Sequence, residues 1–429
     1  MKEPLLTGIR VFQIFSIFIV YFLPVGICLI IYLSLNKRGV SAVYLGIILS
    51  KLAESLGPTA IKMAQVASSR SDLFPKQIIK PLTRMQDEVK PPSRRQIIKQ
   101  IKNAFPGEPG GDFFEIDWAP IASGSVAYVL AARKKNGHKV ALKVVRSGVK
   151  DKISRDFKII GWIIRFVSKQ TKLKGIPIVE VFSLFSNIVN KQCNMLIEAE
   201  NICKFQKFVG SEILLPSVDS DLTQECVLVM TYMNIWRNID SPNIPQSKYE
   251  DACVKLLHEV YRMIFIHGLV HGDLHPGNVS LDKFGRVILV DFGLIAEMKK
   301  IDRRRFRNLF FGIATGDSKL VTLTILDSSS TVPDNFEMSA FEQSVQHLVS
   351  RRTGQKAGEF LVTQFTNEIF DLQKEYGLYG TPGFANAIWA LAMYEGLVRE
   401  RFPQLDFQEV SRKFLMMPYV NTVTIDKTP

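Results

Sequence analysis

The stretch from His271 to Gly293, HGDLHPGNVSLDKFGRVILVDFG, constrains this chain more than any other. Asn278 lies five residues after Asp273, and Asp291 thirteen residues after Asn278. Two short apolar runs, VSL and RVILV, flank the turn-forming DKFG, so the segment reads as a short hairpin. Asn278 and Asp291, on either side of it, can present oxygen ligands near one point. Hard Mg2+ takes one or two such protein ligands and completes its shell with phosphate oxygens. Asp273 can then accept a proton from an attacking hydroxyl, or orient a water. The competing reading is that these polar residues only cap turns. An isolated Asp-Phe-Gly would favour it; the spaced pair upstream does not. His271 and His275 read as packing or hydrogen-bonding residues rather than metal ligands.

H-x-D-x-x-x-x-N followed by D-F-G is the skeleton of kinase-like phosphoryl transfer. That fold requires a lysine on a strand, and VALKVV supplies Lys143. A lysine in an apolar strand is costly unless paired. Its partners would be nucleotide phosphates and a helix glutamate, best supplied by Glu198 in LIEAEN. Upstream, Ala122, Gly124, Ala127 and Val129 take the spacing of G-x-G-x-x-G-x-V. Alanine stands at two of the three glycine positions, which restricts positive φ and stiffens the loop. Backbone groups around Ala122, Ser123, Gly124, Ser125 and Val126 are expected to cover phosphates. Met230 to Met233 are expected to form the adenine hinge.

The rest of the chain fits an α+β, bilobal, kinase-like layout. Residues 39–108 read as a helical extension, with Leu45, Ile48, Leu49, Leu52 and Leu56 at helical steps and a stop at Gly57-Pro58. Further helices carry Ile78, Leu82, Met85 and Val89, then Ile97, Ile98 and Ile101. The loop FPGEPGGD is a candidate boundary. Residues 109–235 read as an N-lobe: two strands joined through Asn136-Gly137, helices over about 151–169 and 178–209, and a strand from Glu225 to Met233. Residues 236–429 read as a helical C-lobe, with a helix from about Lys248 to His267 before the opening motif.

Residues 1–38 are expected to be a membrane anchor. No charged residue occurs from Val11 to Leu35, longer than the ~20 residues a spanning helix needs. Pro24 and Gly26 would kink such a helix without forbidding it. Lys37 and Arg38 follow as a stop-transfer flank, and no signal-cleavage pattern is present. Lys37, Arg38 and Lys51 favour the cytoplasm-like side for the C-terminal bulk. The net charge is +13, with basic runs near Lys99–Lys102, Thr171–Gly175 and Lys299–Arg307. Each reads first as a solvated helix face, and second as an attraction to anionic lipid or phosphate. Nothing reads as a nucleic-acid module. Five scattered cysteines without C-x-x-C argue against a zinc site or a disulfide framework.

Several motifs resemble the UbiB/AarF family of atypical kinase-like proteins, over roughly Ser41 to Phe407. SLGPTAIKMAQVASSRSDLFP is similar to that family's L-G-P-T-F-I-K-L-G-Q segment, and MQDEV follows it as in the family. PIASGSVAYV resembles the alanine-rich loop, HGDLHPGN the H-A-D-P-H-P-G-N motif, and YEGLVRERFPQLDF a late E-G-x-x-R stretch. The resemblance implies that Lys62 and Gln65 are the family's extension residues, folded over the nucleotide pocket where a protein substrate would otherwise bind. Departures are visible: Ala64 replaces the family's glycine, and Ser123 and Gly124 interrupt the alanines. Gln192 and Asn194 replace two acids of a motif whose last glutamate is Glu198.

These readings together imply a membrane-anchored atypical kinase or ATPase. Asp273 and Lys143, with Glu198, would be catalytic; Asn278 and Asp291 would bind metal; ATP and Mg2+ would be the cofactors. The resemblance implies a role in ubiquinone or other isoprenoid-lipid metabolism. Partners would be a membrane lipid or a quinone precursor, with quinone-biosynthesis enzymes and without nucleic acid. A single-pass anchor in a bacterial inner membrane is favoured over a mitochondrial one. Two rivals are a small-molecule phosphotransferase, which would lack the Lys62/Gln65 extension, and a non-enzymatic nucleotide-sensing regulator or lipid-handling scaffold. A protein kinase is a third, disfavoured by the extension.

Overall fold

The computed structural model describes residues 13, 16, 38–57, 59–61, 64, 81, 90–105, 112–167, 178–329, 332–353, 362–378, 390–391, 393–399 and 401–415. The anchor expected over Val11–Leu35 lies outside these residues apart from Gln13 and Ser16. Lys62, Gln65 and, except for Pro81, the helix expected over 78–89 also lie outside them. Among the described residues no helix is long and apolar enough to cross a membrane. The chain divides into two compact units.

The first unit comprises Met1–Lys207, Leu215–Asn234 and Asp291–Leu294. Its centre is an antiparallel sheet of β1 (Phe113–Ile116), β2 (Ala122–Ser123), β3 (Ala127–Lys134), β4 (Lys139–Val145) and β6 (Val227–Thr231). The order is β1-β3-β4-β6, with β2 paired to β3. Alternation along β3 buries Tyr128, Leu130 and Ala132 on one face. The β3–β4 turn spans four residues, not two. Gly137 takes φ +83° while Asn136 keeps a negative φ, so the mirror-image two-residue turn that Asn-Gly often forms is absent. Asn136 instead accepts the His138 N–H at 3.1 Å.

Helix α1 (Arg38–Leu56) ends at Gly57, φ +91°. Two residues on, the Thr59 hydroxyl donates to Asp156 Oδ2 at 2.6 Å, and both residues are buried. This bond ties the Gly57–Thr59 corner to α3 (Val149–Val167). Helix α2 (Arg94–Ala104) opens with the Ser93 N–H donating to Gln96 Oε1 at 2.9 Å, a capping-box contact. It places Ile97 and Ile101 in one core with Phe113, Tyr128, Leu130, Leu142 and Val229. Each such side chain contributes roughly 1.5–3 kcal/mol by leaving water.

The helix expected over 178–209 is two helices, α4 (Ile178–Lys191) and α5 (Met195–Gln206). The break is at Asn194, whose side chain accepts the Leu196 N–H at 3.0 Å as an N-cap. Asparagine competes with the helix for backbone donors, so a cap displaces the continuous helix that the apolar pattern suggests.

The second unit comprises Phe208–Leu214, Ile235–Val290 and Ile295–Pro429. It holds a sheet in the order β5-β10-β9-β7, made of β5 (Ile213–Leu214), β7 (Arg237–Asn238), β9 (Val279–Leu281) and β10 (Val287–Leu289). A separate pair joins β8 (Leu269–His271) to β11 (Ile295–Glu297). Helix α6 runs Gln246–Tyr261 and then widens into a π-helical turn, Arg262–His267. The sequence pattern suggests one regular helix to His267. Gly268 ends the turn at φ +69°, and an added Cβ there would meet the Met298 carbonyl at 2.8 Å. Helices α7 (Lys300–Thr315), α8 (Ser318–Ser328), α9 (Met338–Arg352), α10 (Val362–Glu375) and α11 (Phe407–Leu415) complete the unit.

The late YEGLVRER stretch serves this second unit's packing. Tyr394 donates to the Cys253 carbonyl, buried Glu395 pairs with Arg399 at 2.6 Å, and Arg401 donates to the Ser241 and Ile244 carbonyls. The basic run at Lys299–Arg307 is partly committed inside the unit. Arg303 donates to the Ile266 carbonyl, and Arg305 binds Asp302 and Asp327.

Candidate active site

The first unit builds an ion triad from three distant parts of the chain. Lys143 stands on β4 between Val129 of β3 and Leu228 of β6. Its Nζ lies 2.7 Å from Glu198 Oε1 and 3.0 Å from Asp291 Oδ1. The Glu198 side chain is 3% exposed and that of Lys143 12%, whereas Asp291 is 43% exposed. Burial alone would push the ammonium down. The Asp291 and Glu198 carboxylates outweigh it and hold Lys143 well above the ordinary lysine value. Burial pushes the Glu198 carboxyl up, and Lys143 opposes that.

Helix α5 aligns the Asp-Phe-Gly through one face. Glu198 takes a hydrogen bond from the Phe292 backbone, Asn201 Nδ2 donates to the Phe292 carbonyl at 2.8 Å, and Phe205 packs on the Phe292 ring at 5.0 Å. Residues 198, 201 and 205 recur at helical spacing, so one stripe grips the segment. Asp291 is the only non-glycine among the described residues with positive φ, 60°. Such a backbone costs on the order of 1–3 kcal/mol, and it persists because these contacts fix both sides. Gly293 packs closely on the triad: an added Cβ would crowd Asp291 Oδ1 at 3.2 Å and touch Glu198 Oε2 at 3.7 Å. Gln192 is beside it, with its buried Oε1 lacking a hydrogen-bond partner among the described residues. Asn194 is spent on its cap, so neither amide repeats the role of a charged acid.

The alanine-rich loop starts on β2 with Ala122 and Ser123 and crosses to β3 through Gly124, Ser125 and Val126. The Gly124 N–H is used internally, on the Ala127 carbonyl at 2.8 Å. Among the described residues the Ser125 and Val126 N–H groups have no acceptor, and neither has the buried Ser125 hydroxyl. Unspent backbone donors in a tight loop suit an anion. Met230 is buried on β6, and Met233 lies half-buried two residues beyond its end.

The second unit builds a compact turn around Asp273. His271 ends β8, fully buried; its Nδ1 accepts the Asp273 N–H at 3.2 Å and its Nε2 faces the Val290 carbonyl at 3.3 Å. The bonding puts the proton on Nε2 and leaves the ring neutral. His275 Nδ1 accepts the Gly277 N–H at 3.1 Å and caps the 3-10 turn Pro276–Asn278, while Nε2 lies 3.7 Å from Asp273 Oδ2. Proline fits the first turn position, and Gly277 is required because a Cβ would stand 2.8 Å from the His275 ring.

Asn278 Nδ2 donates to the Asp273 carbonyl at 3.0 Å, which leaves the amide oxygen outside that bond. The Asn278 carbonyl accepts the Val290 N–H at 3.1 Å, and Asp291 is the next residue. Among the described residues no group of three or more His, Cys, Asp and Glu could hold a metal by itself. One carboxamide and one carboxylate completed by phosphate oxygens is a donor set that fits Mg2+ without such a cluster.

Sequence reasoning had Asn201 only as the last position of the motif that holds Gln192, Asn194 and Glu198, had His271 as a packing or hydrogen-bonding residue without its partners, and missed Arg146, which lies just past β4 and binds the loop. A helical stripe through 198, 201 and 205 was the available signal for Asn201. Nothing in the spacing marked Arg146.

A lysine–glutamate pair on a strand and helix, an Asp-Phe-Gly and an H-x-D-x-x-x-x-N turn define a kinase-like protein. Residues 84–324 match the ABC1 atypical kinase-like domain, and the chain belongs to this family, the UbiB/AarF group. A curated relative from Serratia proteamaculans, named "Probable protein kinase UbiB", is 28% identical over 378 residues, 84% of this chain and 68% of the relative. One of the same name from Erwinia tasmaniensis is 27% identical over 387 residues, 86% of this chain and 70% of the relative. The solved complex of Rv3197 with erythromycin from Mycobacterium tuberculosis superposes with a TM-score of 0.59 at 18% identity. It covers 82% of this chain and 92% of that one, and shares the kinase-like α+β fold.

Proposed function

We propose that this protein is a Mg-ATP-dependent atypical kinase or ATPase that serves ubiquinone or other isoprenoid-lipid metabolism at a membrane surface. The observation that carries the reading is the buried triad: Lys143 at 2.7 Å from Glu198 and 3.0 Å from Asp291. A charged lysine held by two carboxylates is prepared to exchange one of them for phosphate oxygens. In this mechanism Glu198 fixes the ammonium, Lys143 binds phosphates, and the N–H groups of Ser125 and Val126 cover them. Asn278 and Asp291 would hold Mg2+, which supplies charge neutralisation on the transferring phosphoryl group. Asp273 takes the proton of the attacking hydroxyl or water. His271, bonded to the Asp273 backbone, holds that residue in place. Met230 and Met233 would flank adenine.

The membrane part of the proposal rests on the uncharged run Val11–Leu35. The lipid part rests on the family resemblance. ATP turnover by the purified protein, with and without anionic liposomes and a phenolic quinone precursor, tests the whole. Turnover with a phosphorylated product identifies a kinase, turnover with phosphate alone an ATPase, and no turnover under any condition rejects the enzyme reading. Deleting Met1–Asn36 should release the protein from carbonate-washed membranes and spare ATP binding. Retention in the pellet would reject the N-terminal anchor.

A further inference from the structure

Arg146 leaves β4 three residues after Lys143, and it touches the alanine-rich loop at three points. Its N–H donates to the Val126 carbonyl at 2.8 Å, its Nε to the Gly124 carbonyl at 2.8 Å, and its Nη2 to the Ser123 hydroxyl at 2.6 Å. The same Nη2 also donates to the Lys90 carbonyl at 3.1 Å. The strand beneath is itself tied down. Gln100 of α2 donates to the Val145 carbonyl at 2.8 Å and accepts the Tyr128 hydroxyl at 3.1 Å. A glycine-rich loop owes its closeness to phosphate to conformational freedom. Here Ala122 and Ala127 stand at two of the glycine positions, and the Arg146 bonds give the loop a fixed shape. Once Gly124 points its carbonyl at a guanidinium, the acceptor is turned away from any anion under the loop. The Ser125 and Val126 donors are then left for that anion.

We propose that Arg146 is a positioning residue for nucleotide: it presets the alanine-rich loop so that its free N–H groups face the phosphates. The planar guanidinium reaches two loop acceptors and the Lys90 carbonyl at once, which a lysine cannot do. The proposal rests on the Mg-ATP reading above and names the device that replaces the missing glycines. It predicts loss of affinity with the chemical step intact, since Arg146 acts on the loop and not on Asp273.

The test uses the full-length protein carrying Arg146→Gln, Arg146→Lys or the milder Ser123→Ala. Hydrogen exchange of the peptide covering Ile121–Tyr128 is followed without nucleotide, and Mg-ATP affinity, kcat and KM are measured alongside. Arg146→Gln should speed exchange of the loop and weaken Mg-ATP binding by about tenfold, the loss expected for a charge-assisted bond, with kcat within about twofold. Arg146→Lys should fall between it and wild type, and Ser123→Ala should shift affinity by about twofold while remaining fully folded. Unchanged loop exchange in Arg146→Gln overturns the proposal, as does a loosened loop with wild-type affinity. So does a kcat that falls as far as the affinity. A wild-type protein that binds no Mg-ATP overturns the function proposed above, and the positioning role with it. Loop exchange is read without nucleotide, so that outcome is told apart from failure of the brace.

Discussion

The Lys143 triad and the Asp273 turn solve one problem, holding a charged group still, by opposite means. The triad joins residues 55 positions apart at 2.7 Å and shields two of them almost completely from water. Its order comes from long-range charge pairing in a low-dielectric setting, where an unpaired partner is expensive. The Asp273 turn is local. Its bonds link residues two to five apart, and two longer contacts, from His271 and from Asn278 to Val290, fix it to the end of β10. Long-range charge pairs respond to ligands, because phosphate or metal can replace a partner. Local turns respond little, because the chain itself sets their geometry. Ligand binding should therefore act through the triad, and the chemical step should depend on the turn.

Asp291→Asn tests the first half of that contrast and carries the largest expected effect. The amide would keep the size of the side chain but lose the charge that Lys143 pairs with and that Mg2+ would use. Mg2+-dependent ATP binding should disappear in calorimetry, and wild-type affinity would reject the metal role. Asp273→Asn tests the second half. Binding should be spared while turnover falls by roughly 10²-fold or more, the range for loss of a general base. A parallel loss of affinity would mean that the turn is coupled to ligand after all.

Glu198→Ala separates stability from chemistry within the triad. Removing one of two carboxylates leaves Lys143 buried with Asp291 only. The first unit should lose about 1–3 kcal/mol, less than the full cost of breaking an isolated buried pair because Asp291 remains. Urea unfolding followed by a probe in the first unit measures it. Mg2+ should also bind more weakly, since Lys143 then holds Asp291 alone. Tighter Mg2+ binding would mean that Glu198 competes with the metal and does not free Asp291 for it.

Legibility in the sequence divides along the same line. The Asp273–Asn278 spacing is visible because a Pro-Gly turn fixes it over five residues, and Asp291 is placed by the hairpin between. Lys143 stands out because a lysine at the centre of VALKVV needs a partner. The helix break at Asn194 was not visible, since asparagine fits a mid-helix surface as well as a cap and only the tertiary position of α5 decides. Arg146 gave no signal because its partners are mostly backbone carbonyls, which every residue has. The Thr59–Asp156 bond, 97 positions long, was hidden for the same kind of reason: its two groups are common and only the fold pairs them. Met230 shows as part of an apolar strand, while Met233 draws its hinge assignment from the segment that succeeds such a strand in kinases.

The smallest predicted effect concerns the pH sensitivity of the second unit at His267, away from the Asp273 turn. His267 ends the π-helical turn, stacks on Phe208 at 4.1 Å, and leaves its buried Nε2 without a hydrogen-bond partner among the described residues. Burial, aided by Arg262 and Arg303, lowers it from the ordinary 6.5 to about 4. The folded state therefore holds His267 neutral while the unfolded chain takes up a proton below about 6.5. The stabilisation is complete above that pH and is lost as pH falls toward 4. The residue is partly exposed, so screening limits the effect to roughly 1 kcal/mol. His267→Phe keeps the stack and removes the titration. Its unfolding free energy should fall less steeply than wild type between pH 6.5 and 4, by about that amount. Identical slopes would mean that another group sets the acid limit of this unit, and that the orphaned nitrogen is hydrated. A loss of turnover that tracks the His267 titration at pH values where the unit remains folded would show that the π-helical turn is linked to the Asp273 turn through β8.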